Sequence, residues 1–152
     1  MAQLEKTLRQ RALDYLAKRE YSYAELGYKL KAFAEEDDDV AALLDDFKSR
    51  GWLSDARFTE QIVHARKAKF GSAKIANELR EKGVADDLVA NAVEQLKETE
   101  LENACEVWRK KFRSAPQSRE EWAKQARFLQ SRGFGFDVIK KVLNNTHNEN
   151  NL

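Results

Sequence analysis

The chain has 152 residues with 27 Lys or Arg against 26 Asp or Glu, a net charge of +1, so no global field points to a partner. At 42% hydrophobic it can bury a core as one domain or a short array of small units, and no apolar run approaches the ~20 residues that cross a bilayer. A single cysteine, Cys105, excludes an internal disulfide framework and a thiolate-rich metal cage; the opening MAQLEKTLRQ lacks the hydrophobic stretch of a secretory signal, and a reducing, cytoplasmic setting is expected.

One proline and six glycines predict helices nearly throughout. In residues 1–54 the apolar positions are Leu13, Leu16 and Tyr21, then Leu26 and Leu30, then Val40, Leu43, Leu44 and Phe47 at the 3–4 spacing of one helix face. The acid run Glu35–Asp39 precedes the third set; it reads as a solvated turn whose last Asp residues cap the next helix, with an acidic contact to a basic surface as the other reading. Residues 55–98 carry Ile62, Ala65 and Phe70, then Ile75 and Leu79, then Leu88, Val89, Ala92, Val93 and Leu96. Residues 99–143 carry Ala104, Val107, Trp108 and Phe112, then Leu129, then Val138, Ile139, Val142 and Leu143. Residues 144–152 lack apolar spacing and predict a flexible tail.

These segments are copies of one another. Ala24-Glu-Leu-Gly-Tyr-Lys-Leu30 recurs 49 residues on as Ala73-Lys-Ile-Ala-Asn-Glu-Leu79, and Ala123-Lys-Gln-Ala-Arg-Phe-Leu129 stands 50 residues beyond that. Gly83 and Gly133 suit the left-handed position that closes a middle helix, whereas no Gly punctuates the first copy there. Asp87 and Asp137 are predicted to cap the last helices, Ser54-Asp55 and Ser72 to begin helices of the second copy, and Ser118 with Glu121 to form a capping box. The prediction is an all-α chain of three tandem three-helix repeats whose cores are completed by stacking into an elongated, curved, solenoid-like body.

Chemistry-bearing groups do not converge. His64 sits between Val63 and Ala65 on a predicted helix and His147 in the tail, so neither has the partners that a metal or an activated nucleophile needs; no catalytic residue, metal or cofactor is expected. Glu102 and Glu106 flank Cys105 and disfavour a thiolate, leaving it a packing role. Charge divides along the chain instead: residues 1–55 net −3, and residues 56–97 and 98–152 each +2. Two basic clusters, Arg66, Lys67, Lys69 and Lys74 and then Arg109, Lys110, Lys111 and Arg113 with Arg127 and Arg132, are the candidate surface for DNA phosphates or an acidic protein; ordinary ion pairing is the competing reading. Trp52, Trp108, Trp122, Phe70, Phe112, Phe128, Phe134 and Phe136 are read as filling interfaces between units rather than stacking on bases. The segment Leu88–Leu96 offers only Asn91, Glu94 and Gln95 to base edges, so sequence-specific DNA reading is not expected.

Taken in order, Ala12-Leu-Asp-Tyr-Leu-Ala-Lys-Arg19, Lys48-Ser-Arg-Gly-Trp-Leu-Ser-Asp-Ala-Arg-Phe58, Arg66 to Val84, and Arg132-Gly-Phe-Gly-Phe-Asp-Val-Ile-Lys-Lys-Val-Leu143 resemble the RecX family of regulatory proteins over roughly residues 8–143. The resemblance implies tandem three-helix repeats and a non-enzymatic modulator that binds the RecA recombinase filament on DNA and restrains its ATPase, strand exchange and SOS-linked activity. It implies RecA and DNA as partners of a monomer. A DNA-binding helical repeat acting without RecA is the alternative. Two places depart from the family pattern: Ala32-Phe-Ala-Glu-Glu-Asp37 stands where a Gly-containing turn is usual, and Gly71-Ser72 replaces a Gly-Pro pair.

Overall fold

The structure, a computed structural model, describes residues 5–150, with side chains through Asn144. It is helical: α1 (Leu8–Lys18), α2 (Tyr23–Lys31), α3 (Val40–Ser49), α4 (Asp55–Arg66), α5 (Ser72–Glu81), α6 (Asp86–Lys111), α7 (Arg119–Ser131) and α8 (Phe136–Asn150). Among the described residues eight helices stand where the repeat pattern predicts nine. The boundary expected at 98/99 lies inside α6, whose 26 residues serve as the last helix of the second unit and the first of the third. No glycine or proline interrupts that stretch, and buried Leu96, Glu100 and Ala104 carry one face across the junction. The backbone of α8 likewise continues to Asn150, beyond the tail boundary expected at 144; the side chains of that expected tail past Asn144, including His147, lie outside the described residues.

The apolar periodicities fold into three clusters, one per unit. Leu26, Leu30, Leu44 and Phe47 centre the first, Phe58, Ile75, Leu79 and Val89 the second, and Leu129, Ile139, Val142 and Leu143 the third. Helices pack against partners of their own unit, with α6 belonging to both the second and the third. Each unit has its own buried cluster, and the second and third are joined through the shared α6. The aromatics follow the same rule. Trp108 is buried within the third unit and donates its indole N–H to Gln125 Oε1 at 2.8 Å, and Phe112 meets Phe128 edge-on at 5.4 Å. Trp52 and Phe136 are 42% and 58% exposed, so they fill no interface.

Local signals start and stop the helices. The hydroxyls or carboxylates of Thr7, Ser22, Asp39, Ser54 and Ser118 accept from backbone N–H groups at the starts of α1, α2, α3, α4 and α7. The Glu121 carboxylate reaches past Ser118 to accept from Gln117 N at 2.6 Å, so the predicted box closes one residue further back. Asp87 and Asp137 lie inside the first turns of α6 and α8 rather than before them, where they favour the positive helix end; Ser72 is likewise the first helical residue of α5, with Gly71 as its cap. Gly83 and Gly133, at φ 79° and 95°, end α5 and α7 as expected.

The units join by a repeated head-to-tail contact. The start of α2 sits on the turn that ends α5, where Ser22 Oγ donates to Lys82 O at 2.6 Å. The start of α5 sits on the turn that ends α7, where Gly71 N donates to Arg132 O at 2.7 Å and Ala73 N to Gly133 O at 3.2 Å. A Cβ on Gly83 would come within 2.5 Å of Ala24 Cβ, and one on Gly133 within 2.6 Å of Lys74 Cβ. The glycines thus serve the joints as well as the helix ends. No described unit docks on the end of α2, and that end closes with Ala32 at φ −64°, which accounts for the missing glycine in the first copy.

Candidate nucleic-acid and filament interface

The candidate cations are divided by what surrounds them. Lys69 follows α4, Lys110 and Lys111 form the last turn of α6, and Arg132 caps the end of α7. These four line one cleft of about 360 Å³ over Val107, Ala68 and Phe128. Three helix ends converge there, and their partial charges of about −0.5 each favour cations. Four unit charges exceed that sum, so the cleft stays positive. Lys111 Nζ lies 5.6 Å and Arg132 Cζ 5.1 Å from the Phe128 ring centre, which holds the charges over an apolar face.

Arg132 links this cleft to a second depression lined by Arg66, Phe70 and Lys74, because its guanidinium also lies 5.7 Å from the Phe70 ring, with Lys74 Nζ at 4.8 Å. Arg66 is committed: Glu78 accepts from its Nε at 2.9 Å and its Nη2 at 3.2 Å, and that carboxylate holds the guanidinium above its usual pKa. Arg109 is tied to Glu106 at 2.6 Å, although both are exposed. Arg113 lies past α6 in the connector, and Arg127 lies on α7 outside the cleft. Lys67 faces a different depression, with Glu60 and His64. Among the described residues, none of Lys67, Lys69, Lys74, Lys110, Lys111, Arg113, Arg127 and Arg132 makes an ion pair with a carboxylate.

The ten cations picked from sequence therefore reduce to four in one cleft, with Lys74 beside it. Sequence reasoning missed the platform beneath them. Phe128 and Val107 carry ordinary core spacing, and only their position beside the basic end of α6 could have separated them from packing residues. Cys105 packs against the third core, as expected, and His64 is exposed. No group of three or more His, Cys, Asp or Glu able to hold a metal occurs among the described residues, and no helix there is long and apolar enough to cross a membrane. An exposed, multiply cationic cleft with an aromatic floor suits phosphate groups rather than bond-making chemistry.

Comparison with known proteins agrees with the architecture. Residues 54–93 match the family description "RecX, second three-helix domain" and residues 98–143 match "RecX, third three-helix domain". The regulatory protein RecX of Leptothrix cholodnii is 47% identical over 137 residues, covering 90% of this chain and 87% of the relative. That of Chromobacterium violaceum is 41% identical over 143 residues, covering 94% and 93%. The crystal structure of RecX from Lactobacillus salivarius superposes with a TM-score of 0.78 at 18% identity over 92% of this chain and 94% of that one, a likeness of fold. With its helical units, its two domain matches and relatives that extend over nine-tenths of its length, the chain belongs to the RecX family of regulatory proteins.

Proposed function

We propose that this protein is a non-enzymatic, cytoplasmic regulator that binds the RecA filament on DNA as a monomer and restrains its ATPase, strand exchange and SOS-linked activity. The name carried by its relatives supports regulation, and the family resemblance implies RecA as the partner. The observation that carries the DNA-facing part is the cleft of Lys69, Lys110, Lys111 and Arg132, whose charges the rest of the described chain leaves uncompensated. Phosphates of filament-bound DNA would displace counterions there, and the neighbouring units would lie across adjacent recombinase subunits and hinder their motions.

The test is RecA's ATPase on single-stranded DNA. Wild-type protein should slow it in a concentration-dependent way, and Lys110→Glu with Lys111→Glu should remove most of that effect while helicity is kept. A wild-type protein without effect on ATPase or filament length at any ratio would overturn the reading. The same uncompensated cations favour one second reading, a DNA-binding protein that needs no RecA. In that case affinity for naked DNA would match affinity for filaments, and log K would fall with log salt by about 0.9 per phosphate neutralised on duplex.

A further inference from the structure

The first unit carries a feature that phosphate binding does not use. Tyr28 on α2 is 81% exposed, the most exposed large hydrophobic side chain among the described residues. It stands over a groove between α2 and α3 of about 440 Å³, with Ala24, Gly27 and Ala41 giving it a low floor and Val40 and Leu44 its far wall. Gly27 is buried in the middle of a helix, where glycine is disfavoured relative to alanine. A Cβ there would sit 3.1 Å from Leu44 Cδ1, so its absence permits the close approach of the helices and deepens the groove.

The turn that enters the far wall forms an acidic rim beyond the lining residues: Glu35–Asp39 leads directly into Val40, with Glu35, Glu36, Asp37, Asp38 and Asp39 all exposed, Asp38 accepting from Glu35 N and Asp39 from Ala42 N. At the groove's inner end Asp45 accepts from the Tyr23 hydroxyl at 2.7 Å. That hydrogen bond, with burial and the charges of Asp45 and Asp39 behind it, holds the Tyr23 phenol above its usual pKa. Among the described residues, Lys31 is the one cation lining the groove. Tyr23 and Ala24 also line a larger cleft of about 800 Å³ at the joint with the second unit, where Asp45, Asp55 and Asp87 stand with Lys48 and Arg57.

We propose that the groove between α2 and α3 is a protein-docking site for an amphipathic segment of the regulated partner, an apolar side chain seated beside Tyr28 and Lys or Arg flanks meeting the Glu35–Asp39 rim. Charge complementarity selects this occupant: a nucleic acid would be repelled by the same rim, and the basic surface that a second copy could offer, the cleft of Lys69, Lys110, Lys111 and Arg132, is the one the filament reading gives to phosphates. The site divides labour with the cationic cleft. One end of the molecule holds protein, the other phosphate. The inference rests on the filament reading above and specifies how the partner is held.

The test compares three proteins in two assays, inhibition of RecA's ATPase on single-stranded DNA and binding to DNA without RecA. The proteins are wild type, Tyr28→Ala, and Glu36→Lys with Asp37→Lys; neither variant touches a buried contact, and circular dichroism checks that both fold. Both variants should need at least tenfold more protein for half-inhibition, with naked-DNA binding unchanged or, for the charge reversal, tighter. Inhibition by both variants equal to wild type would overturn the docking site and leave the filament reading standing. Loss with Tyr28→Ala but not with the reversal would overturn the basic-flanked partner. A wild-type protein that inhibits nothing would fail the filament reading itself, and the docking site with it.

Discussion

The two joints of this molecule make the same head-to-tail contact with different chemistry. Where the first unit meets the second, side chains do the holding: Tyr23 N donates to Asp55 Oδ1 at 2.7 Å, Arg57 pairs with Glu20 at 2.9 Å, and Lys82 pairs with Glu25 at 3.2 Å. Where the second meets the third, backbone meets backbone through Gly71 and Gly133, one continuous helix spans both units, and buried Glu100 accepts from Ser72 N and Oγ at 3.0 and 2.9 Å. The first joint is electrostatic and partly exposed, so salt and acid weaken it. The second is steric and stiff. The same division runs through the charges. Among the described residues, six of the eight ion pairs involve the first unit, whereas Lys69, Lys110, Lys111 and Arg132 of the other two stand in a cleft without a carboxylate partner.

Glycine substitution breaks the comparison most sharply. Gly133→Ala meets the Lys74 backbone N at 2.7 Å from a left-handed φ of 95°, so overpacking and conformational strain should together cost about 2–5 kcal/mol. Gly71→Ala has no such strain but places its Cβ against the Gly133 carbonyl and Phe134 N, backbone atoms that cannot turn aside, for about 1–3 kcal/mol. Gly51→Ala is the control, with a φ of 77° and nothing within 4 Å, and should cost only the ~1–2 kcal/mol of the left-handed conformation. Urea denaturation midpoints rank the three. If Gly133→Ala proved no worse than Gly51→Ala, the second joint would not be close-packed.

Glu100 comes next. It lies on α6 at 7% exposure and supplies the N-terminal cap that Gly71 cannot provide for α5. Glu100→Ala should cost about 1.5–3 kcal/mol, since it removes an ionised acceptor from a backbone and a hydroxyl donor. Ser72→Ala should cost less because it leaves the backbone bond, and the difference between the two in denaturant separates the contributions.

The repeat frame, the helical class and the glycine turns are visible in the sequence because each rests on local spacing. The fusion of two helices into α6 is not, since 26 residues without a breaker read equally well as two short helices joined at 98. The capping role of Glu100 is invisible for the opposite reason. Its partner is 28 residues away, and a Glu within a charged helix reads as solvent-facing until the fold brings Ser72 to it. At the site, composition picked out the basic clusters, but which cations were already spent depended on Glu78 and Glu106. The cleft under Lys111 and Arg132 needed three helix ends to meet.

Acid tests the first joint more gently. Burial raises the Glu25 pKa, but hydrogen bonds from Arg19 and Lys82 lower it by more, leaving it below the usual glutamate range. A carboxyl with a depressed folded-state pKa binds its proton more readily when unfolded. Its stabilisation is therefore complete above the unfolded pKa and is lost as pH falls through the folded one. Measured against intrinsic exchange rates, protection of amides around Ser22 and Gly83 should fall on the acid side of that range by more than protection around Gly71 and Gly133, where backbone contacts hold the joint beside Glu100. Glu25→Gln should flatten the difference, and equal acid sensitivity at the two joints would contradict their contrast.

The smallest effect on stability is expected where the proposed function is most exposed. Removing Lys110 and Lys111 forfeits their interaction with the end of α6, worth about 0.3–1 kcal/mol for each at low salt. It also relieves repulsion from Lys69 and Arg132 in the same cleft, and neither lysine has a carboxylate partner to leave unpaired. The opposing terms should leave Lys110→Ala with Lys111→Ala within about 0.5 kcal/mol of wild type, as for surface positions without structural duty. Arg57→Ala, which leaves Glu20 unpaired at the first joint, should cost up to about 1 kcal/mol. A destabilisation by the lysine pair larger than that of Arg57→Ala would mean that the cleft cations hold the fold. Near-neutrality combined with lost filament inhibition would mean that the third unit keeps charges its own stability does not require.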